Sequence, residues 1–250
     1  MKALILAAGY GKRLRPITYN VPKSMVEVNG TPLLVNALNN LTELGINQIG
    51  IVVGHMADYI RSAIGVKFNN AEIIYYENER YLDTNNIYSL YKALDFFDDD
   101  SLMLECDIFY RTGLLHSLLD ADDSDCSILV SPYNPLTMNG TVIRAEDEIA
   151  EELILGKYQK AGFDYSNCYK TVNMYRFKRD FIMNKYAPLI KWYVTHMGDN
   201  IYYEKVLGSL IYYHECDIRI VKVPEDMWCE IDDENDLLRA RKKFGKCPSH

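Results

Sequence analysis

The chain has 250 residues, of which 48 % are hydrophobic, and its 35 acidic residues outnumber its 27 basic ones to give a formal net charge of -8. That is enough apolar material to bury a sizeable core, and the acidic balance argues against nucleic acid or an anionic membrane as the main partner. No apolar run approaches a membrane span, no cleavable leader precedes the first strand, and six scattered cysteines without a C-x-x-C pair argue against a zinc site or a disulfide framework, so a reduced cytoplasmic protein is expected.

Ala3 to Ala8 is a short apolar run that reads as a buried strand. It stops at Gly9-Tyr10-Gly11, and Lys12, Arg13 and Arg15 follow before Pro16. A strand feeding a cationic glycine loop suits polyphosphate, because glycines let backbone N–H groups approach anionic oxygens while basic side chains supply countercharge. Pro22 stiffens the next segment and should hold Lys23 in place. The dinucleotide fingerprint G-x-G-x-x-G fails at Leu14, and the phosphate loop G-x-x-x-x-G-K-[ST] fails at Arg13. A plain tight turn with solvated lysines is the remaining alternative, weakened by four cations between Lys12 and Lys23 in an acidic protein.

The string from Leu6 to Pro16, L-A-A-G-x-G-x-R-L-x-P, followed by P-K-S-M-x-x-V-x-G-x-P-L from Pro22 to Leu33, resembles the signature of the sugar-phosphate nucleotidyltransferases. The resemblance implies an α/β fold: a Rossmann-like, mainly parallel sheet flanked by helices. It also implies nucleotide contacts from Leu6, Ala7, Ala8, Gly9, Gly11 and Lys12, with Arg13 and Lys23 as the catalytic cations that stabilise charge on the α-phosphate and on departing pyrophosphate.

From Thr31 helix and strand alternate. Pro32 opens a helical pattern that ends at Gly45, a position suited to a C-cap glycine. Ile49 to Val53 reads as a strand, Asp58 to Ile64 as a short helix and Ala71 to Tyr76 as a third strand, an order that predicts ligands at the carboxyl ends of a parallel sheet. The polar loop Glu77 to Ser89 runs into a helix expected from Ile87 to Phe97. Asn85 and Asn86 suit either a helix cap or, as amides, the edge of a nucleotide base. The segment T-N-N-I-Y-S-L from Thr84 resembles the branch of the family that activates choline phosphate and related head groups with CTP, and implies that Thr84, Asn85 and Asn86 reach the base.

Ser101 to Cys106 is the next strand, and Asp107 follows it where an α/β enzyme holds Mg²⁺ against a triphosphate. A solvated turn aspartate is the alternative. The resemblance makes Asp107 a metal ligand and places Cys106 beside the nucleotide. The clusters Asp98 to Asp100 and Asp120 to Asp125 read as exposed turns. Ser127 to Ser131 is a strand, Thr141 to Arg144 begins a hairpin, and Lys170 to Phe177 alternates as a strand whose Lys170 and Asn173 resemble family positions near the second substrate.

Asp180 to His214 is helical and aromatic, expected to be an insertion facing the substrate within a single domain spanning 1–250. Most of its aromatics are expected in the core. Asn200 to Glu204 resembles a segment of the choline-phosphate and aminoalkylphosphonate activating enzymes, and Trp192, Tyr202, Glu204 and Trp228 are therefore candidates for a cationic head-group pocket. Ile218 to Val223 is a strand, and Met227 to Ile231 leads to Asp232, Asp233 and a helix from Glu234 to Phe244. The resemblance makes Asp232 the second metal ligand, and Asp232 or Asp233 is also suited to cap that helix. The tail after Phe244 reads as frayed.

The expectation is a Mg²⁺-dependent cytidylyltransferase acting on CTP and a small phosphate or phosphonate acceptor. The alternatives are a sugar-1-phosphate nucleotidyltransferase and a non-catalytic nucleotide-binding regulator.

Overall fold

The computed structural model describes residues 1–121 and 124–245; Asp122 and Asp123, expected in an exposed turn, and the tail from 246 to 250 lie outside them. Chain order begins with β1 (Lys2–Leu6), α1 (Leu33–Glu43), β2 (Gln48–Val53), α2 (Ala57–Ile64), the short β3 (Lys67–Phe68) and β4 (Ala71–Glu77). It continues with α3 (Asn86–Lys92), β5 (Ser101–Glu105), β6 (Cys126–Pro132), β7 (Val142–Glu146), β8 (Ile149–Ile154) and β9 (Cys168–Phe177), and closes with α4 (Ala187–His196), α5 (Glu204–Tyr212), β10 (Ile218–Lys222) and α6 (Glu234–Lys243).

Successive strand side chains point to opposite faces, so a strand covered on both sides needs an unbroken apolar run. β1 shows this directly: Ala3, Ile5 and Ala7 join the core under α1 and α2, whereas Leu4, Leu6 and Ala8 join the core under α3, α4 and α5. Leu4 and Ile5 are fully buried, and each contributes about 2 kcal/mol of hydrophobic stabilisation.

Among the described residues the sheet has ten strands in the order β7-β8-β10-β6-β9-β5-β1-β2-β4-β3. The expected parallel register holds through β5-β1-β2-β4 and recurs between β6 and β10. β9 runs antiparallel to both β5 and β6, which makes the whole sheet mixed. The first half of β9 also pairs with β7, so β7, β8, β10, β6 and β9 close a circuit of five strands beside the parallel half. β9 bears a register shift between Thr171 and Tyr175, and Asn173 adopts φ +55° within it, as a bulged strand residue does.

The helix expected from Ile87 to Phe97 is shorter. α3 stops at Lys92, Ala93 leaves the helical region at φ -116° and ψ 14°, and a 3₁₀ turn covers Leu94–Phe96. That turn carries both Phe96 and Phe97 into the core, at 2 % and 0 % exposure, which a continued α-helix would not do for adjacent residues. The aromatic segment also differs from expectation. Phe181, Tyr186 and Tyr203 are buried, but Trp192, Tyr202, Tyr212 and Tyr213 are exposed. The five described cysteines are free thiols, and no helix among the described residues is long and apolar enough to cross a membrane.

Candidate active site

The carboxyl end of β1 runs into Ala7, Ala8 and Gly9, which with Leu6 form one wall of a cleft of about 200 Å³. Lys23 and Ser24, the segment from Asn78 through Tyr81 and Thr84 to Asn86 with Ser89, and Glu105, Cys106 and Asp107 complete its lining. Gly11 and Lys12 stand outside this lining. Gly11 has φ +67°, and a Cβ there would lie 3.0 Å from the Lys23 Cβ and 3.1 Å from the Thr18 Cγ2. Glycine is therefore required both by backbone conformation and by the close passage of the lysine stem. The Lys12 ammonium lies 5.6 Å from the Tyr10 ring centroid. Gly54 is a second close approach, since a Cβ would meet the Ala8 carbonyl oxygen and the Tyr81 Cβ at 2.9 Å each.

Lys23 sits at the centre. Its Nζ donates to Asp107 Oδ2 at 2.9 Å and to Asp232 Oδ1 at 2.8 Å. Arg13, on a mostly exposed side chain, reaches the same Asp232 oxygen at 2.8 Å. The two aspartates meet because a short antiparallel ribbon pairs Ile108–Tyr110 with Trp228–Glu230, Asp107 preceding one strand and Asp232 following the other. The Ile231 N–H donates to the Asp107 carbonyl at 2.8 Å and locks that register. The choice between Asp232 and Asp233 as helix cap is also clear. Asp233 caps α6 in a reciprocal box with Asp236, and Asp236 Oδ2 additionally accepts from the Asp232 N–H at 2.9 Å. Asp232 is thus held by its backbone, with its carboxylate left for Lys23 and Arg13.

Charge follows from these contacts. Burial works against ionisation of Lys23, yet Asp107 and Asp232 outweigh it and raise the pKa above that of an ordinary lysine. Burial likewise opposes the Asp232 charge, but Lys23 and Arg13 hold its pKa below the usual carboxylate value. Asp107 Oδ1 is buried without a hydrogen-bond partner among the described residues, as is Ser24 Oγ. A buried unpaired acceptor is unfavourable by roughly 1–3 kcal/mol unless something binds it.

Lys170, expected near the second substrate, is 1 % exposed and pairs with Glu230 Oε2 at 3.1 Å. Its Nζ also donates to the Thr171 carbonyl at 2.9 Å. Burial pushes the Glu230 carboxyl up to about 7 despite that lysine, with Asp107 and Asp232 adding to the rise. Asn173 donates to Glu105 Oε2 at 3.3 Å.

Asn86 is committed to the protein. Its Nδ2 donates to Glu105 Oε1 and to Glu204 Oε2, both at 3.1 Å, while its Oδ1 accepts from the Tyr203 N–H at 2.9 Å. Both of its N–H donors and one lone pair of its oxygen are thus engaged in an internal clasp between α3 and the start of α5, while Asn86 still lines the cleft. Asn85 supplies the cap of α3, accepting from the Asn86 N–H. The Tyr203 hydroxyl completes the clasp by donating to Glu105 Oε1 at 2.8 Å. Burial raises the pKa of Glu105 well above the carboxylate value, reinforced by Asp107 and Glu204, and burial raises that of Glu204 too.

The four candidates for a cationic head-group pocket do not form one pocket. Glu204 is buried against Asn86. Trp192 lines a separate apolar groove with Leu189, Tyr193 and Tyr213, on the outward side of α4. The Tyr202 ring already has the Lys157 ammonium 5.8 Å from its centroid. Trp228 is 3 % exposed in the core under α1 and borders, with Glu230 and Asp232, a second recess of about 120 Å³. Sequence reading missed Glu105, Tyr203, Asn78, Tyr81 and Ser89. A signal existed for Glu105, a lone charge at the end of an apolar strand and two residues before Asp107, hence on the same face.

A mixed α/β sheet, with a glycine loop, two basic residues and Asp107 at the carboxyl edge of its parallel half and Asp232 brought beside them, has the arrangement of a nucleotide-handling enzyme fold. The pattern of the nucleotidyl transferase family matches residues 2–155, more than half of the chain, and the protein belongs to that family. It is similar to the CTP:phosphoglutamine cytidylyltransferase of Campylobacter jejuni, 28 % identical over 257 aligned residues that cover 95 % of this chain and 98 % of that protein. It is also 28 % identical over 245 residues to the CMP-5'-(3-aminopropyl)phosphonate synthase of Streptomyces rubellomurinus, with 98 % of this chain but only 39 % of that protein aligned. The chain thus spans about two fifths of the length of that synthase. Among solved structures, the CTP:phosphocholine cytidylyltransferase of Streptococcus pneumoniae superimposes with a TM-score of 0.76 at 23 % identity, covering 96 % of this chain and 97 % of that one. The fold is the same.

Proposed function

We propose that the protein is a Mg²⁺-dependent cytidylyltransferase that moves CMP from CTP to a small phosphate or phosphonate monoester and releases pyrophosphate. The observation that carries this reading is the placement of Lys23 between Asp107 and Asp232 at the edge of the cleft. The names of the cytidylyltransferases to which the chain is similar support the choice of CTP and of the acceptor class.

The residues fit a divalent ion. Two carboxylates converge on one cation, and Asp107 keeps a buried, unpartnered oxygen. A pair of carboxylates is a donor set that Mg²⁺ uses, since it commonly takes one or two carboxylates and completes its shell with phosphate and water. Bound by Asp107 and Asp232, it would neutralise and polarise the phosphate oxygens.

The remaining steps belong to the chain. Backbone from Leu6 to Gly9 holds the nucleotide along the first wall, and Arg13 and Lys23 place positive charge where the α-phosphate and the leaving pyrophosphate gain negative charge. An acceptor oxygen attacks the α-phosphorus, forming a new P–O bond as the bond to the bridging oxygen of pyrophosphate breaks. No general base is needed, because a phosphate or phosphonate oxygen is already ionised at neutral pH.

The test is pyrophosphate release with CTP, UTP, dTTP and GTP against choline phosphate, phosphoethanolamine, 2-aminoethylphosphonate, phosphoglutamine, a polyol phosphate and sugar 1-phosphates. CTP with a non-sugar acceptor is the expected pair. Preference for a sugar 1-phosphate, or no turnover with any pair, overturns the reading.

A further inference from the structure

The Lys23 ammonium stands where two carboxylates from opposite ends of the chain converge, 2.9 Å from Asp107 Oδ2 and 2.8 Å from Asp232 Oδ1. All three side chains are largely covered, with 14 % exposure for Lys23, 19 % for Asp107 and 14 % for Asp232. The lysine cannot easily drift away, because it sits on the short turn Lys23–Met25 behind Pro22 and its stem packs against Gly11. A Mg²⁺ ion binds carboxylate oxygens at about 2.0–2.1 Å. Placed between the same two oxygens, it would fall within the space that Nζ occupies, and the two cations would repel. Lysine and metal therefore exclude one another from this pair of oxygens.

We propose that Lys23 is a built-in stand-in for the divalent ion, closing the carboxylate pair until a triphosphate arrives. This deepens the proposed function and rests on it. A triphosphate entering along Leu6 to Gly9 offers Lys23 anionic oxygens on the cleft side. The ammonium then exchanges one set of oxygens for another without being left unpaired, and Asp107 and Asp232 are freed for the metal. Nucleotide and metal binding are consequently coupled, each raising affinity for the other by the same factor. The bare protein binds the metal poorly, since binding must displace a buried, doubly paired cation.

The test uses Mn²⁺ as the probe, titrated into the nucleotide-free full chain and followed by electron paramagnetic resonance. Lys23→Met keeps the length of the stem and removes the charge. It should bind Mn²⁺ about tenfold more tightly than wild type or better, within the usual span of coupling factors, and adding Asp232→Asn to it should abolish the gain. Equal affinities in wild type and Lys23→Met overturn the proposal. Should Lys23→Met not fold, the lysines of the wild-type protein are labelled with ¹⁵N, which leaves all three N–H donors in place, and the Lys23 side-chain resonance is assigned by its loss in Lys23→Arg. That resonance should remain in place with Mg²⁺ alone and shift with Mg²⁺ plus CTP; a shift with Mg²⁺ alone overturns the proposal. The two readings fail separately. Active enzyme with equal Mn²⁺ affinities removes the stand-in role only, whereas the affinity gain without turnover of any substrate pair removes the assigned reaction only.

Discussion

Asn86→Ala is the most incisive perturbation of the cleft lining. The substitution deletes three hydrogen bonds, two to the carboxylates of Glu105 and Glu204 and one from the Tyr203 N–H. A buried donor left unsatisfied is unfavourable by about 1–3 kcal/mol, and a hydrogen bond to a charged group contributes about 1.5–3 kcal/mol. Relief comes from three sources. Glu105 retains the Tyr203 hydroxyl and Asn173, both carboxyls take up protons readily because burial raises their pKa values, and water from the cleft can enter the space of the lost amide. The net expectation is a loss of about 3 kcal/mol of unfolding free energy, below the sum of the parts. Urea denaturation at neutral pH measures it, with the slope unchanged so that the shift in midpoint reports stability alone. Asn86→Asp sharpens the result, since it keeps the shape but sets a third carboxylate against two others. It should be at least as destabilised at neutral pH and recover on mild acidification. A loss below about 1 kcal/mol for Asn86→Ala, or an Asn86→Asp variant indifferent to pH, would refute the clasp.

Lys23→Ala should lower turnover by about 10²-fold or more while circular dichroism at the assay temperature stays that of the folded protein and the thermal midpoint drops, because Asp107 and Asp232 lose their buried counter-ion; near-normal rates would remove its catalytic role. Gly54→Ala should destabilise by about 1–3 kcal/mol through overpacking, since its Cβ would press on the Ala8 carbonyl and Tyr81, and should weaken CTP binding in calorimetry; an unaffected urea midpoint would count against that close approach. Stability should fall as pH rises from about 5.5 to about 8. Glu105, Glu204 and Glu230 have raised pKa values in the fold, that of Glu230 reaching about 7, so between the unfolded carboxyl value and these the native state holds more protons than the unfolded chain. Asp232 acts with the opposite sign at lower pH, its depressed pKa giving stability that is lost on strong acidification. Glu230→Gln should flatten the upper part of the profile, and a urea midpoint constant across that range would refute the assignment.

The parallel half of the fold is legible in the sequence because its signals are local. The run Ala3 to Ala8 cannot be an amphipathic surface element, and Gly45 marks the end of α1 at φ +77°. The antiparallel half is harder to read. β7 and β8 are joined at Asp147 and Glu148, both at positive φ, where hairpin turns usually carry asparagine or glycine, so β8 leaves no turn signature in the sequence. The bulge at Asn173 is equally silent. In the candidate site, Arg13, Lys23, Asp107 and Asp232 can be singled out because they stand at ends of strands or beside prolines and glycines. Glu105 carries the same strand-end signal, but its partners do not show, and Tyr203 cannot be singled out at all, because a tyrosine in an aromatic segment looks like ordinary core. Their meaning depends on Asn86, far away in sequence. Trp192 illustrates the reverse error: helical spacing says that an aromatic lies on some face, not which face, and here it is the outward one.

Lys23 and Asp232 are 209 positions apart, and the second carboxylate is delivered by the ribbon strand Trp228–Glu230 and by α6. During synthesis on a ribosome, the amino-terminal layers can assemble with Lys23 facing Asp107 alone. Its second counter-ion is translated 209 positions later, so chains cut short before Asp232 would leave Lys23 paired with Asp107 alone.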